Sequence, residues 1–265
     1  MSNLYFPQLT IGSLAQYPIT RSWSKATSIN VLPDGSTVRM TSVCPARLSW
    51  ELRYTGLSAA EWVGLQTLFN ASQGRFGAFT FLDPTDNLLS WSEDFTAGVW
   101  NADPLLQISA GAPDPLGGTG ATKLTNGAQT TQSVMQSLAG PSWFQYCVSI
   151  YLRTDTPSTV SLVRTSTSNQ QRRTIAVGQE WTRALASGIL GGQDDGVRFG
   201  IEVAAGTSVY AFGAQVEAQP SAGAYRTKTN RSGVYTKSRF DQDALAQATG
   251  TAGQFSTMVR ITSSY

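Results

Sequence analysis

Hydrophobic and polar residues alternate strictly between residues 47 and 54. Leu48, Trp50, Leu52 and Tyr54 fall on one side of the alternation, and the polar residues between them fall on the other. Successive side chains of a strand point to opposite faces, so a period of two predicts a strand with one buried face.

The period then changes to that of a helix. Ser58 and Glu61 have the spacing of a capping box, in which each side chain satisfies a backbone N–H at the start of a helix. Four apolar residues follow on one helical face: Trp62, Leu65, Leu68 and Phe69. Gly74 is placed to end this helix, and the alternation resumes at Phe79 and Phe81 before the turn at Asp83-Pro84. Residues 46–84 are therefore expected to form the core of one domain.

A hairpin is predicted before this segment. Pro33-Asp34-Gly35 is a turn signal between strand-like runs at 29–31 and 37–40. Five basic residues are spread over the region: Arg21, Lys25, Arg39, Arg47 and Arg53. They are interpreted either as solvated strand faces or as charges that complement a neighbouring subunit.

The residue pattern changes after residue 86. Short strand-like runs recur at near-regular spacing, separated by Gly, Pro and Ser: residues 144–153, 158–163, 181–183, 197–203 and 208–217. This spacing predicts a jelly-roll β-sandwich.

The last run, residues 255–261, alternates again, but residues 228–265 are too few to bury a core alone. We therefore expect a discontinuous first domain, residues 1–86 and 228–265, with a jelly roll inserted at 87–227. The predicted fold class is mainly β: a β-sandwich or barrel-like domain with one short helix, plus the jelly roll.

Composition narrows the function classes. The net charge of the 265-residue chain is +2, which implies no strong attraction to nucleic acid or anionic membranes. The chain contains no histidine, which excludes a Ser-His-Asp catalytic triad, a Cys-His catalytic dyad and a metal site with histidine ligands. No signal pattern and no apolar run of ~20 residues is present, so we expect cytoplasmic production and no membrane span. Cys44 and Cys147 are interpreted as two free thiols, with a disulfide left open.

Aromatic and turn residues run through the first core segment in a fixed order: Trp50-x-Leu52-x-Tyr54, Leu57-Ser58-x-x-Glu61, Leu68-Phe69, Gly74-x-Phe76 and Phe79-x-Phe81-x-Asp83-Pro84. This order resembles bacteriophage distal-tail-like proteins, which sit where the tail tube meets the baseplate or tip. The resemblance implies a structural virion protein that is assembled in the host cytoplasm as a ring, commonly a hexamer. Its expected partners are its own copies, the tube protein and the tip hub proteins, with contacts from sheet edges and arms such as residues 1–20.

A second resemblance covers residues 87–226. The opening Asn87-Leu-Leu and Glu93-Asp-Phe95, the run Tyr146-x-x-Ser-Ile-Tyr-Leu-Arg153 and the closing run 209–217 resemble carbohydrate-binding-module jelly rolls. Such modules recur in phage tail proteins, where this one would either contact host-surface saccharide or only decorate the tail. The resemblance also implies a structural calcium held by Glu93, Asp94 and Glu217; the alternative is that these are ordinary turn carboxylates.

Sugar binding requires an aromatic platform and polar groups for the hydroxyls. Trp143, Trp181 and Tyr210 are the candidates for the platform, and Trp143 follows Gly140-Pro141 in a loop-like setting. The alternative is that these rings belong to the core. No convergent acid pair is recognisable, so we expect a binding protein, either a tail subunit or a stand-alone carbohydrate-binding protein, rather than a glycan-degrading enzyme.

Overall fold

The structure is a computed structural model that describes residues 3–25, 27–41, 46–250 and 253–264. The strands in chain order are β1 Ile19–Ser24, β2 Thr27–Val31, β3 Thr37–Thr41, β4 Arg47–Leu57, β5 Phe79–Leu82, β6 Trp100–Ala102, β7 Leu106–Ala112, β8 Ala121–Asn126, β9 Gln132–Ala139, β10 Gln145–Arg153, β11 Ser158–Thr165, β12 Gln170–Val177, β13 Thr182–Ile189, β14 Gly196–Val203, β15 Ser208–Glu217, β16 Val234–Phe240, β17 Ala248–Thr249 and β18 Phe255–Ser264. The helix α1 spans Ala59–Ala71. The predicted mainly β fold with one helix is confirmed for these residues.

The chain divides into two compact units. The first comprises Met1–Pro7, Ala15–Phe81 and Tyr235–Tyr265, and the second comprises Gln8–Leu14 and Leu82–Val234. The predicted jelly-roll range 87–227 lies inside the second unit. That this range is an excisable insertion stays a prediction.

The first unit is built on a six-stranded sheet in the order β1-β4-β18-β16-β5, with β17 paired to β18. The predicted strand at 47–54 forms the first eight residues of β4, and its four apolar side chains are all buried. Each such side chain contributes about 1.5–3 kcal/mol through burial. The predicted final strand is confirmed as β18, which pairs along β4.

Helix α1 begins as predicted. Glu61 accepts a hydrogen bond from the backbone N–H of Ser58 at 2.9 Å, and the Glu61 N–H donates to the Ser58 hydroxyl. Trp62, which is buried, contacts the ring of Phe255 on β18 at 5.9 Å. Phe69, predicted to be buried, is only half-buried, because it lies at the helix end and covers Phe240 with one edge.

The predicted hairpin is confirmed as β2 and β3, which pair with one another in a separate two-stranded sheet. Its turn is closed by Asp34, whose carboxylate accepts from the Ser36 N–H at 2.9 Å and whose pKa these Ser36 hydrogen bonds lower. Gly35 adopts a positive φ of 81°, which suits glycine.

The expectation of an exposed arm at residues 1–20 is wrong for much of that segment. Phe6 is buried in the first unit, where its N–H donates to the carbonyl of Thr80. Gln8 belongs to the second unit, and its side-chain oxygen accepts from the Gln145 N–H at 2.7 Å. Backbone pairing and buried apolar side chains thus hold most of this segment in place.

The second unit is a sandwich of two five-stranded antiparallel sheets. Their orders are β13-β10-β15-β8-β7 and β12-β11-β14-β9-β6. The inner faces meet through contacts such as Tyr146 of β10 against Phe199 of β14, 5.2 Å between ring centroids. This confirms the predicted sandwich. We call the side of the β10 sheet that faces away from β14 the outer face.

Candidate functional site

The middle of β10 and the second half of β15 are buried on both faces. Val148, Ile150 and Val216 fill the core between the sheets. Their neighbours on the outer face, Ser149 and Gln215, are equally inaccessible. A strand of a sandwich normally leaves its outer face to solvent, so something must cover this one.

The cover is the segment 219–228, which we call the strap. Arg183 on β13 donates to the carbonyl of Gly223 at 2.7 Å, and the N–H of Gly223 donates to Glu217 at 2.8 Å. The Gln215 side chain donates to the carbonyl of Ala224 and accepts from the N–H of Arg226. The backbone of the strap is therefore hydrogen-bonded by side chains of the outer face, whereas a strand would be hydrogen-bonded by the backbone of its neighbour.

Tyr225 anchors the strap to the outer face. Its ring lies 5.7 Å from that of Phe212 and 6.1 Å from that of Tyr151. An added side chain at Gly213 would lie 2.9 Å from the Tyr225 ring, so the glycine makes room for it. Burial raises the pKa of the Tyr225 hydroxyl, which stays protonated and donates to Glu93 at 2.8 Å.

Beyond Tyr225 the outer face is open, and one row of side chains crosses it. Arg153 on β10 pairs in register with Tyr210 on β15, which pairs with Lys123 on β8. Trp181, immediately before β13, adds the fourth member. We call Trp181, Arg153, Tyr210 and Lys123 the shelf.

Cations and aromatic rings alternate along the shelf. The Arg153 guanidinium carbon lies 5.8 Å from the Trp181 ring centroid and 4.5 Å from that of Tyr210. The Lys123 ammonium lies 5.1 Å from the Tyr210 centroid. Each cation is attracted by the quadrupole of the ring that it covers, which holds the row in order.

One carboxylate, that of Asp155, faces the shelf. It accepts a hydrogen bond from the Tyr210 hydroxyl at 3.0 Å and lies 3.5 Å from the Lys123 ammonium. Its distance to the Arg153 guanidinium is 3.9 Å. The hydrogen bond to Tyr210, and then Asp155, raise the pKa of Lys123, which is therefore charged at neutral pH.

A depression adjoins the shelf where the loops after β10 and before β15 meet. Its volume is about 340 Å³, and it is lined by Asp155, Thr156, Pro157, Ser158, Gly206, Thr207 and Ser208. Four of these seven residues carry a hydroxyl group. Together with the rings of Trp181 and Tyr210, they supply the two components that a sugar requires, an apolar surface and hydrogen-bonding groups.

Of the three predicted platform residues, the structure brings two together. Trp181 and Tyr210 flank Arg153, and both are half-buried. Trp143 is 37% exposed but precedes the opposite end of β10, roughly 25–30 Å along the strand. Its ring contacts that of Phe144 at 6.3 Å. It belongs to a different part of the unit.

The three predicted calcium ligands have separate sets of donors. Glu93 accepts from Tyr225 and Thr227, and Asp94 accepts from the N–H of Thr96 at 2.9 Å. The buried Glu217 accepts from the strap. No group of three acidic, histidine or cysteine side chains suited to a metal occurs in the described ranges. The alternative of hydrogen-bonded carboxylates accounts for what these three side chains contact.

Cys147 is a free thiol on the strap-covered face, and burial raises its pKa to about 11. Cys44 lies outside the described residues. In the part of the chain that the structure describes, no helix has the length and apolar character to cross a membrane.

Lys123, Arg153 and Asp155 are site residues that the sequence did not predict. Arg153 does share its strand face with Tyr151, as its spacing of two requires. The sequence carries no comparable signal for the register that places it opposite Tyr210.

No protein-family model matches this chain, and no curated protein matches it. Among solved structures, the enzymatically active domain of bacteriophage CBA120 tailspike protein 4 matches with a TM-score of 0.41 and 11% identity, over 52% of this chain and 22% of that one. The CBM22-1 xylan-binding domain from Paenibacillus barcinonensis Xyn10C matches with a TM-score of 0.41 and 15% identity, over 52% and 97%. A CBM 22 xylan-binding domain matches with a TM-score of 0.42 and 11% identity, over 53% and 100%. Since every TM-score is below 0.5, none of these likenesses decides what this chain binds.

Proposed function

We propose that this protein is a structural subunit of a phage tail whose second unit binds host-surface saccharide at the shelf. In this role it acts by binding rather than by catalysis. The observation that carries the saccharide part is the pair of rings, Trp181 and Tyr210, set beside a depression of about 340 Å³ in which four of the seven lining residues carry a hydroxyl group. Arg153 and Lys123 cover the Tyr210 ring, so the face of Trp181 away from Arg153 takes the apolar face of the sugar, and hydroxyl and backbone groups take its hydroxyls.

A glycan array with the full-length chain tests this proposal. Trp181→Ala is expected to weaken saccharide binding at least roughly tenfold, because it removes one platform ring and the support of Arg153. Trp143→Ala is the matched control, since it removes an exposed tryptophan at the other end of β10. Equal binding by the wild type and Trp181→Ala, or loss of binding in Trp143→Ala alone, would place the site elsewhere.

The assembly part of the proposal has its own support in the β2–β3 hairpin. Its apolar side chains are exposed on both faces: Ile29, Val31, Val38 and Met40. A two-stranded hairpin is at best marginally stable in water, so such a surface is suited to being covered by another subunit. Together with the resemblance of residues 46–84 to distal-tail-like proteins, this favours a ring.

Light scattering over a concentration series measures the assembly state. A closed ring is expected at several times the 28.4 kDa of one chain, and Ile29→Ser with Val31→Ser is expected to lower that mass. Arg153→Gln serves as a control that leaves the hairpin unchanged. A monomer at all concentrations would favour the alternative, a stand-alone carbohydrate-binding protein.

A further inference from the structure

The strap limits how much of the outer face a ligand reaches. Residues 219–228 cover the cross-strand pair Ser149 and Gln215. The ring of Tyr225 covers the next pair toward the shelf, Tyr151 and Phe212. The open part is the shelf, which spans β8, β15, β10 and the start of β13. Its width is roughly 14 Å at the usual spacing between strands.

A glycan chain therefore has no open groove along the β10 sheet. Tyr225 stands across one side of the shelf, and Asp155 with its loop closes the other beside the depression. A site of this size accommodates about one or two sugar residues. A polysaccharide that ran along the strands would meet the strap.

The charge of the shelf selects among such residues. Lys123 and Arg153 carry two positive charges, and the facing Asp155 carries one negative charge, which leaves a net charge of +1. Glu180 precedes Trp181, yet within the described residues it forms no ion pair with either cation. An anionic ligand would restore neutrality.

The donors of Arg153 are also unused. Its side chain is 27% exposed, and its nearest carboxylate oxygen, on Asp155, is 3.9 Å away. Its buried Nε has no hydrogen-bond partner among the described residues. A guanidinium carries five N–H donors in a rigid fork that fits a carboxylate or phosphate, and the rings of Trp181 and Tyr210 hold this fork in place.

We infer that the shelf binds an acidic residue of a glycan, with its carboxylate or phosphate on Arg153 and Lys123 and its ring against Trp181. This inference rests on the proposed saccharide binding and adds the charge of the sugar. A neutral sugar would bury the Arg153 fork without an oxyanion, and unpaired charged donors are costly.

Titration calorimetry with the full-length chain tests the inference. The probes are two disaccharides matched except at the terminal residue, a hexuronic acid or the corresponding hexose, and a third that ends in a hexose phosphate. An acidic probe is expected to bind at least roughly tenfold more tightly than the neutral one. The ratio of the two acidic probes identifies the oxyanion.

Two variants separate charge recognition from stacking. Arg153→Gln, or Lys123→Gln if the first does not fold, is expected to bring the acidic-to-neutral ratio close to one. Trp181→Ala is expected to weaken the neutral probe as well as the acidic probes, because it removes a ring on which either sugar packs, whereas Arg153→Gln is expected to weaken only the acidic probes. Equal binding of acidic and neutral probes, or an unchanged ratio in a folded Arg153→Gln chain, would overturn the inference and leave the proposed function standing. Absence of binding by all three probes and by the glycan array would overturn both.

Discussion

Replacing Glu217 by alanine is expected to detach the strap from the β10 sheet. Glu217 is 2% exposed and its carboxylate accepts from four donors. Gln215 and the N–H of Gly223 lie at 2.8 Å, Gln219 lies at 3.0 Å and Arg226 lies at 3.4 Å. Removing the carboxylate leaves one N–H of the buried Gln215 amide and the half-buried N–H of Gly223 without this acceptor.

The expected loss of stability follows from those donors. A buried donor without a partner costs about 1–3 kcal/mol. The Arg226 side chain is 37% exposed and rehydrates, so its share is small. For the other two donors together, we expect Glu217→Ala to lower the free energy of unfolding by about 2–4 kcal/mol, which is large against a typical total of about 5–15 kcal/mol.

Urea denaturation of the full-length chain, followed by tryptophan fluorescence, measures this change. Glu180→Ala is the control, because it removes an exposed carboxylate and is expected to change stability by less than about 0.5 kcal/mol. The same experiment with EDTA and with added CaCl₂ separates strap anchoring from calcium binding. Strap anchoring is the wrong explanation if EDTA lowers the free energy of unfolding of the wild type, calcium restores it, and neither changes the free energy of unfolding of Glu217→Ala.

Three further predictions concern other parts of the chain. Ser58→Ala, which removes the capping oxygen opposite Glu61, should lower the free energy of unfolding by about 1 kcal/mol, whereas Ser58→Thr should not. In a Cys44→Ser chain, Cys147 should resist a thiol reagent at pH 8 until urea is added. The pKa of Cys147 in the folded chain, about 11, exceeds the ordinary thiol value of 9.0. The contribution of this protonated thiol to the free energy of unfolding is therefore present below pH 9 and is lost as the pH rises toward 11. Urea denaturation at a series of pH values measures this loss. Deleting residues 88–226 with a short linker should leave a folded first unit by circular dichroism, and an aggregated product would count against an insertion.

Local patterns predicted the elements of the first unit well. The alternation in β4, the capping box of α1 and the Pro33-Asp34-Gly35 turn each rest on interactions between residues close in sequence. In the second unit, β10, β11, β14 and β15 were also predictable from runs of apolar residues. Strands β6 to β9 and β12 were not, because their polar and small residues give a weak signal.

The amino-acid sequence is enough to predict that this chain is mainly β, where α1 begins and which aromatic residues are candidates for a platform, since these depend on period, capping and composition. Which of these candidates act together depends on contacts between residues far apart in the chain. Trp181 meets Tyr210 through Arg153 because strand register sets the neighbours across a sheet, and register depends on residues far apart in the chain. The same long-range pairing brings residues 219–228 back over Gln215 and Glu217, so that side chains on an outward-facing strand position are buried and only the shelf stays open.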